Sequence, residues 1–177
     1  MIEQSAKRGA SPPRSTLFLL FLIGQDRYAL EAVDIAEVLP RLQLKPIAQT
    51  PHWVAGVFAH RGTMVPVIDL SALTFGHPAQ ARTSTRLVLV NYRPDADRPS
   101  QLLGLILEQA TETLRCLPAE FKHYGLDNPQ ALYLGPVRED EKGLLQWVRV
   151  QDLLSDPVRE LLYPVKSSDI ELFEGEP

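Results

Sequence analysis

The hydrophobic positions fall in short runs, most of them bounded by glycine, proline or aspartate. Leu17–Ile23 and Arg27–Leu30 flank the turn Gly24-Gln25-Asp26, and Ile35–Leu39 stops at Pro40. Val54–Ala59 and Thr63–Asp69 flank His60-Arg61-Gly62, which reads as a hairpin bend. Arg86–Tyr92 and Leu102–Glu108 flank a polar, proline-containing loop, and Thr111–Leu117 stops at Pro118. Leu132–Val137 and Leu144–Val150 flank the acidic, glycine-closed loop Arg138–Gly143. Strand-length runs at this spacing predict an all-β barrel or sandwich. Helical pieces are minor: Pro118–Tyr124, Gln151–Leu154 and Pro157–Leu162. In the last, Val158, Leu161 and Leu162 share one face.

The chain also repeats itself. Ala36–Pro40 has an echo in Glu112–Pro118. Gly56, a bend, Gly62, an apolar strand and Asp69-Leu70 recur as Gly135, a bend, Gly143, an apolar strand and Asp152-Leu153. This predicts two similar small barrels sharing one core, each too small to bury much surface alone.

Composition narrows the picture. The 177 residues are 45% hydrophobic and 23% charged, near the globular average. Their formal charge of −4 argues against nucleic acid as a partner. A single cysteine, Cys116, excludes an intrachain disulfide and a Cys-rich zinc site, and fits a cytoplasmic home. Fifteen prolines favour many short elements over long helices. The run Leu17–Ile23 is far below the ~20 residues that cross a bilayer, so no membrane insertion is expected. The polar residues 1–14 read as a flexible arm, 15–164 as the folded domain, and the acidic residues 165–177 as a tail in which Ile170, Leu172 and Phe173 could dock.

Catalytic chemistry is hard to find. The four histidines lack helical metal spacing, and there is no phosphate loop or nucleophile elbow. No catalytic, cofactor or metal residue is assigned. His52, His60 and Asp69 are the components a rival hydrolase or metal site would use. Asp69 more simply caps the turn at Ser71, and Cys116 reads as a buried small hydrophobe. Arg61 at the bend is either a solvated hairpin tip or an arginine presented for a bidentate contact, with Gly56 and Gly62 bracketing it. Ile35 and Val38 flank Glu37 on a strand ended by Pro40. That strand is either a simple edge or a partly apolar docking edge with one charge. A ligand-sensing module acting alone is a further alternative. It requires an apolar cavity between the barrels.

The segments Phe21–Leu30 and Val33–Val38, and above all Thr50–Leu70 with its Arg61-Gly62 and Val65-Pro66-Val67-Ile68-Asp69-Leu70, resemble the CheW-like chemotaxis coupling proteins. Leu103–Glu108 and Tyr133-Leu134-Gly135 match the same pattern in order, so the resemblance runs from Leu17 to Leu162. It implies two SH3-like five-stranded β-barrels sharing a hydrophobic core, with short helices and no catalytic activity. It also implies an adaptor between a chemoreceptor's cytoplasmic hairpin tip and the regulatory domain of a CheA-type histidine kinase, recruited to membrane receptor arrays. By position, Gly56, Arg61 and Gly62 match residues tied to coupling, and Ile35, Glu37 and Val38 match a docking strand. Ala59-His60 stands where the family often has Asn-Leu, Glu108 where aspartate is usual, and the loop Tyr92–Gln101 is long. Leu132–Val137 and Leu144–Trp147 resemble the scaffold subunits of Wsp-type surface-sensing systems, which implies cyclic-di-GMP output.

Overall fold

The computed structural model describes residues 14–125 and 128–165. The expected arm and acidic tail therefore lie almost wholly outside the described residues.

Among the described residues nine strands form in the order β1 (Thr16–Ile23), β2 (Asp26–Glu31), β3 (Ile35–Pro40), β4 (Val54–His60), β5 (Thr63–Asp69), β6 (Arg86–Tyr92), β7 (Gln101–Cys116), β8 (Leu134–Asp140) and β9 (Gly143–Val148). Two short helices follow β5 and close the described chain: α1 (Leu70–Phe75) and α2 (Asp156–Leu162). The segments Pro118–Glu120 and Val150–Asp152 are single 3-10 turns.

β7 is the spine. The expected break near Glu108 does not end the strand, which continues as one 16-residue element. Gln109 takes a left-handed φ of 46° there, and the register against β1 slips between Leu20 and Leu22. This bulge turns the ribbon from one barrel into the other. The first half of β7 pairs with β6 and, in parallel, with β5; the second half pairs with β1.

One sheet therefore holds β1, β2, β9, β8 and the second half of β7 (barrel A). The other holds β4, β5, the first half of β7, β6 and β3 (barrel B). Neither closes by a full ladder, so β3, β4 and β8 are edges. Each barrel combines a hairpin from one half of the chain with strands from the other. In barrel A the β1–β2 hairpin meets β8 and β9; in barrel B the β6–β7 hairpin meets β3, β4 and β5.

The backbone repeats as well, but in another register than the sequence echo: the His60–Thr63 pair corresponds to Asp140–Gly143, so Gly62 is matched by Lys142 and Asp69 by Arg149 rather than by Gly143 and Asp152. Lys45 and Val57 exchange two backbone hydrogen bonds at 2.9 and 2.8 Å, and Lys122 and Val137 do so at 2.8 and 3.0 Å. Asp69 N–H donates to the Trp53 carbonyl at 2.8 Å, and Arg149 N–H to the Tyr133 carbonyl at 2.7 Å.

The near-continuous apolar runs of β1 and β6 follow from this layout, because each strand is covered on both faces. Phe18 and Leu20 of β1 fill barrel A, while Leu19, Phe21 and Ile23 face the core between the barrels. Leu87 and Leu89 of β6 fill barrel B, while Val88, Val90 and Tyr92 join the shared core. Barrel A is plugged by Phe18, Phe121 and Trp147, with ring centroids 5.0–5.2 Å apart. Cys116 lies in the same cluster, and burial pushes its thiol pKa up. Tyr163 at the end of α2 stacks on Tyr92 and donates its hydroxyl to the Leu102 carbonyl at 2.9 Å. That contact pins α2 to the body.

Candidate functional site: the β3 edge and the β4–β5 hairpin tip

The β4–β5 hairpin turns through two residues, since His60 pairs directly with Thr63. Both turn residues have positive φ, Arg61 at 49° and Gly62 at 80°. This is the backbone twist a two-residue hairpin loop favours. Glycine adopts it freely, whereas arginine at the first position carries a steric cost. Arg61 is held there with its side chain 79% exposed.

β3 lies beside this tip as the edge strand of barrel B. Its side chains alternate between half-buried Ile35, Glu37 and Leu39 and exposed Ala36, Val38 and Pro40. A register slip between Ile35 and Glu37 places a bulge at Ala36. Ile35 packs against the shared core, and Val38 is 46% exposed.

Glu37 joins the two elements. One carboxylate oxygen lies 3.0 Å from His60 Nε2, and the other 3.5 Å from Arg61 Nη2. The Glu37 side chain is 32% exposed and that of His60 15%, and the Phe58 ring meets the imidazole edge-on at 5.9 Å. A carboxylate on one edge strand thus grips the tip of the neighbouring edge hairpin, where no backbone ladder connects them.

Gly56 is buried at the far end of β4 with φ 146°. A Cβ added there would stand 2.5 Å from the Lys45 carbonyl oxygen. Its bareness lets the segment after β3 dock on β4 through the Lys45–Val57 pair. Of the six residues singled out in the sequence, Glu37, Arg61 and Gly62 meet at one spot and Val38 is exposed on the same edge strand. Ile35 and Gly56 sit inside the framework that positions them. In the sequence, His60 has a place in the hairpin bend and in a departure from the family pattern, and a functional part solely in a rival metal or hydrolytic site. Its place against Glu37 depends on β3–β4 proximity, which no local pattern encodes.

The components of that rival site are spent elsewhere. Asp69 accepts from Ala72 N–H at 3.2 Å and Ala79 N–H at 2.8 Å, capping α1. His52 is exposed. Among the described residues, no group of three or more His, Cys, Asp or Glu could hold a metal. Nor is any helix there long and apolar enough to cross a membrane. A hollow of about 930 Å³ beside the β7 crossover is lined by polar Asp26, Ser71 and Glu108 as well as Leu22, Ile23 and Phe75.

Barrel A has a corresponding tip with different chemistry. Asp140 occupies the position of His60 and receives Arg27 through two contacts, at 2.8 and 3.1 Å, and Arg138 at 2.9 Å. The Arg27 hydrogen bond holds the Asp140 carboxyl below the usual carboxylate range.

These features define a two-barrel β protein whose distinctive chemistry lies on an exposed edge rather than in a cleft. The chain belongs to the CheW-like domain family, which it matches over residues 17–158. It is similar to the chemotaxis protein CheW of Helicobacter pylori, 31% identical over 99 residues that make up 55% of this chain and 56% of that protein. It is also similar to Protein FrzA of Myxococcus xanthus, 36% identical over 69 residues, 39% of this chain and 42% of that one. The chain spans about half the length, or less, of these curated relatives. The scaffolding protein TtCheW from Thermoanaerobacter tengcongensis shares the fold at TM-score 0.69 and 18% identity, over 84% of this chain and 92% of that chain.

Proposed function

We propose that this chain is a non-enzymatic adaptor of chemotaxis-like signalling, joining a chemoreceptor's cytoplasmic hairpin tip to the regulatory domain of a CheA-type histidine kinase. The observation that carries the reading is the convergence of Glu37, His60 and Arg61 on the free edge of barrel B, beside exposed Val38. An arginine whose backbone is strained into a turn and whose side chain is steered by a carboxylate is pre-oriented for a partner's carboxylate or carbonyls. Arg61, Glu37, Val38 and Gly62 make the contact, while Ile35 and Gly56 hold its backbone. Receptor and kinase use separate patches of one rigid body. Each contact is about 1,000–1,600 Å² in total and exchangeable, and an array adds avidity. The protein works in the cytoplasm, drawn to membrane receptor arrays, and its pathway ends in cyclic-di-GMP control.

Co-purification with the regulatory domain of a histidine kinase from the same genome tests the reading. Glu37→Lys reverses the charge on the docking edge and is expected to lower affinity for one partner at least tenfold. Unchanged affinity for both partners removes the β3 edge from the interface.

A further inference from the structure

The edge of barrel A carries a second feature, independent of the proposed coupling role. Between β8, β9 and residues 122–125 lies a groove of about 350 Å³. Its apolar lining includes Leu134, Val137 and Leu144, and Leu144 is 61% exposed. Lys122, His123 and Arg149 stand around it against a single acid, Glu139. Among the described residues, β8 is an edge strand whose outer side is engaged by Lys122 only at Val137. The groove therefore offers an apolar floor, a basic rim and a partly free strand edge.

The chain contains a matching segment. Residues 167–177 read Ser-Ser-Asp-Ile-Glu-Leu-Phe-Glu-Gly-Glu-Pro, with four carboxylates and no basic residue. Within it Asp169, Ile170, Glu171 and Leu172 alternate acid and apolar, the two-residue period of a strand with one face to bury. The described chain ends at Val165, just beyond Tyr163, which Arg98 and Leu102 tie to the body. From Val165, five to eight extended residues span about 17–26 Å. That compares with a radius of gyration near 15 Å for a domain of this size. A hollow of about 270 Å³ on barrel B also joins apolar residues to one cation, Arg41, but it is smaller and carries one basic residue where this groove has three. Two further hollows carry acids. The one beside α2 is lined by Asp152 and Asp156, and the one at the β7 crossover mixes Asp26 and Glu108 with Arg82.

We propose that residues 169–174 of the same chain dock in this groove. Ile170 and Leu172 cover Leu144, and Asp169 and Glu171 face Lys122 and Arg149. Tethering supplies a millimolar effective concentration, so a contact too weak to hold between separate molecules holds here. Any protein that uses this face must first displace the segment.

The test places a nitroxide on the full chain through Glu174→Cys; Cys116 is buried and does not compete for the label. The expected result is selective broadening of the amide signals of Tyr124, Leu144 and Gln146, lost on adding Lys122→Glu with Arg149→Glu. It persists on hundredfold dilution and is absent when labelled, isotope-free chain is mixed with unlabelled, isotope-enriched chain. Uniform weak broadening, broadening centred elsewhere, or broadening in the mixed sample, which would place the segment on a second copy, each overturns the proposal.

Discussion

Replacing Arg61 with glycine separates binding from stability more sharply than any other change at the site. Three effects on the fold are small and partly cancel. Arg61 occupies left-handed backbone at φ 49°, and relieving that strain returns about 1 kcal/mol. Glycine loosens the unfolded chain and takes back about 0.4–1 kcal/mol. The Glu37 ion pair, 3.5 Å long with a 79% exposed arginine, contributes no more than about 0.5 kcal/mol. The net change in unfolding free energy is therefore within about 1 kcal/mol of zero. The effect on docking is larger, because an arginine anchor buried in an interface contributes about 2 kcal/mol or more on truncation. That is a thirtyfold or greater loss of affinity. Urea unfolding and titration calorimetry against the kinase regulatory domain measure the two quantities on one sample. Loss of more than about 2 kcal/mol of stability would make Arg61 structural, and unchanged affinity would place the partner elsewhere.

Gly56→Ala acts the opposite way: its Cβ meets the Lys45 carbonyl at 2.5 Å and its φ is 146°. It is expected to destabilise by about 2–4 kcal/mol in chemical unfolding and to weaken partner binding only through lost fold. Trp147→Ala removes one ring of the aromatic plug of barrel A and, because Trp147 is half-buried, is expected to cost about 2–3 kcal/mol by the same measurement, below the value for a fully buried ring. Asp140→Asn removes the carboxylate held by Arg27 and Arg138 and is expected to cost about 1–2 kcal/mol at neutral pH. The Asp140 pKa is lower in the folded state, so its contribution is present above the unfolded value near 4 and is lost as pH falls through the folded one. The stability difference between parent and variant should therefore vanish in acid; a difference that persists there contradicts the assignment.

Local patterning carried most of the fold. The turn chemistry of Gly24-Gln25-Asp26 and Arg61-Gly62 marked real hairpins, and the two halves do share matched backbone bridges, although the glycine and aspartate echoes in the sequence fall out of structural register. Other features were illegible for physical reasons. β7 reads as two strands because the Gln109 bulge interrupts its alternation, and a bulge is a pairing property that a single strand does not display. The segment after Asp69 reads as a turn because six residues are too few to show a helical period. The exchange of hairpins between halves is set by which cores can be filled, which is tertiary. The same reason hid the meeting of Glu37 with His60 and Arg61. The sequence placed Ile35 and Val38 together on a partly apolar edge without showing which of them is covered; the Ala36 bulge and the packing of Ile35 on the shared core, with Val38 left exposed, are tertiary features.

The account rests on one body being held at two separate faces. Sedimentation of the purified chain with a receptor hairpin fragment and a kinase regulatory domain, first singly and then together, tests this most directly. A ternary complex, with saturating kinase domain leaving the receptor fragment bound, is the predicted result. Mutual displacement of the two partners, or binding of neither, would contradict it.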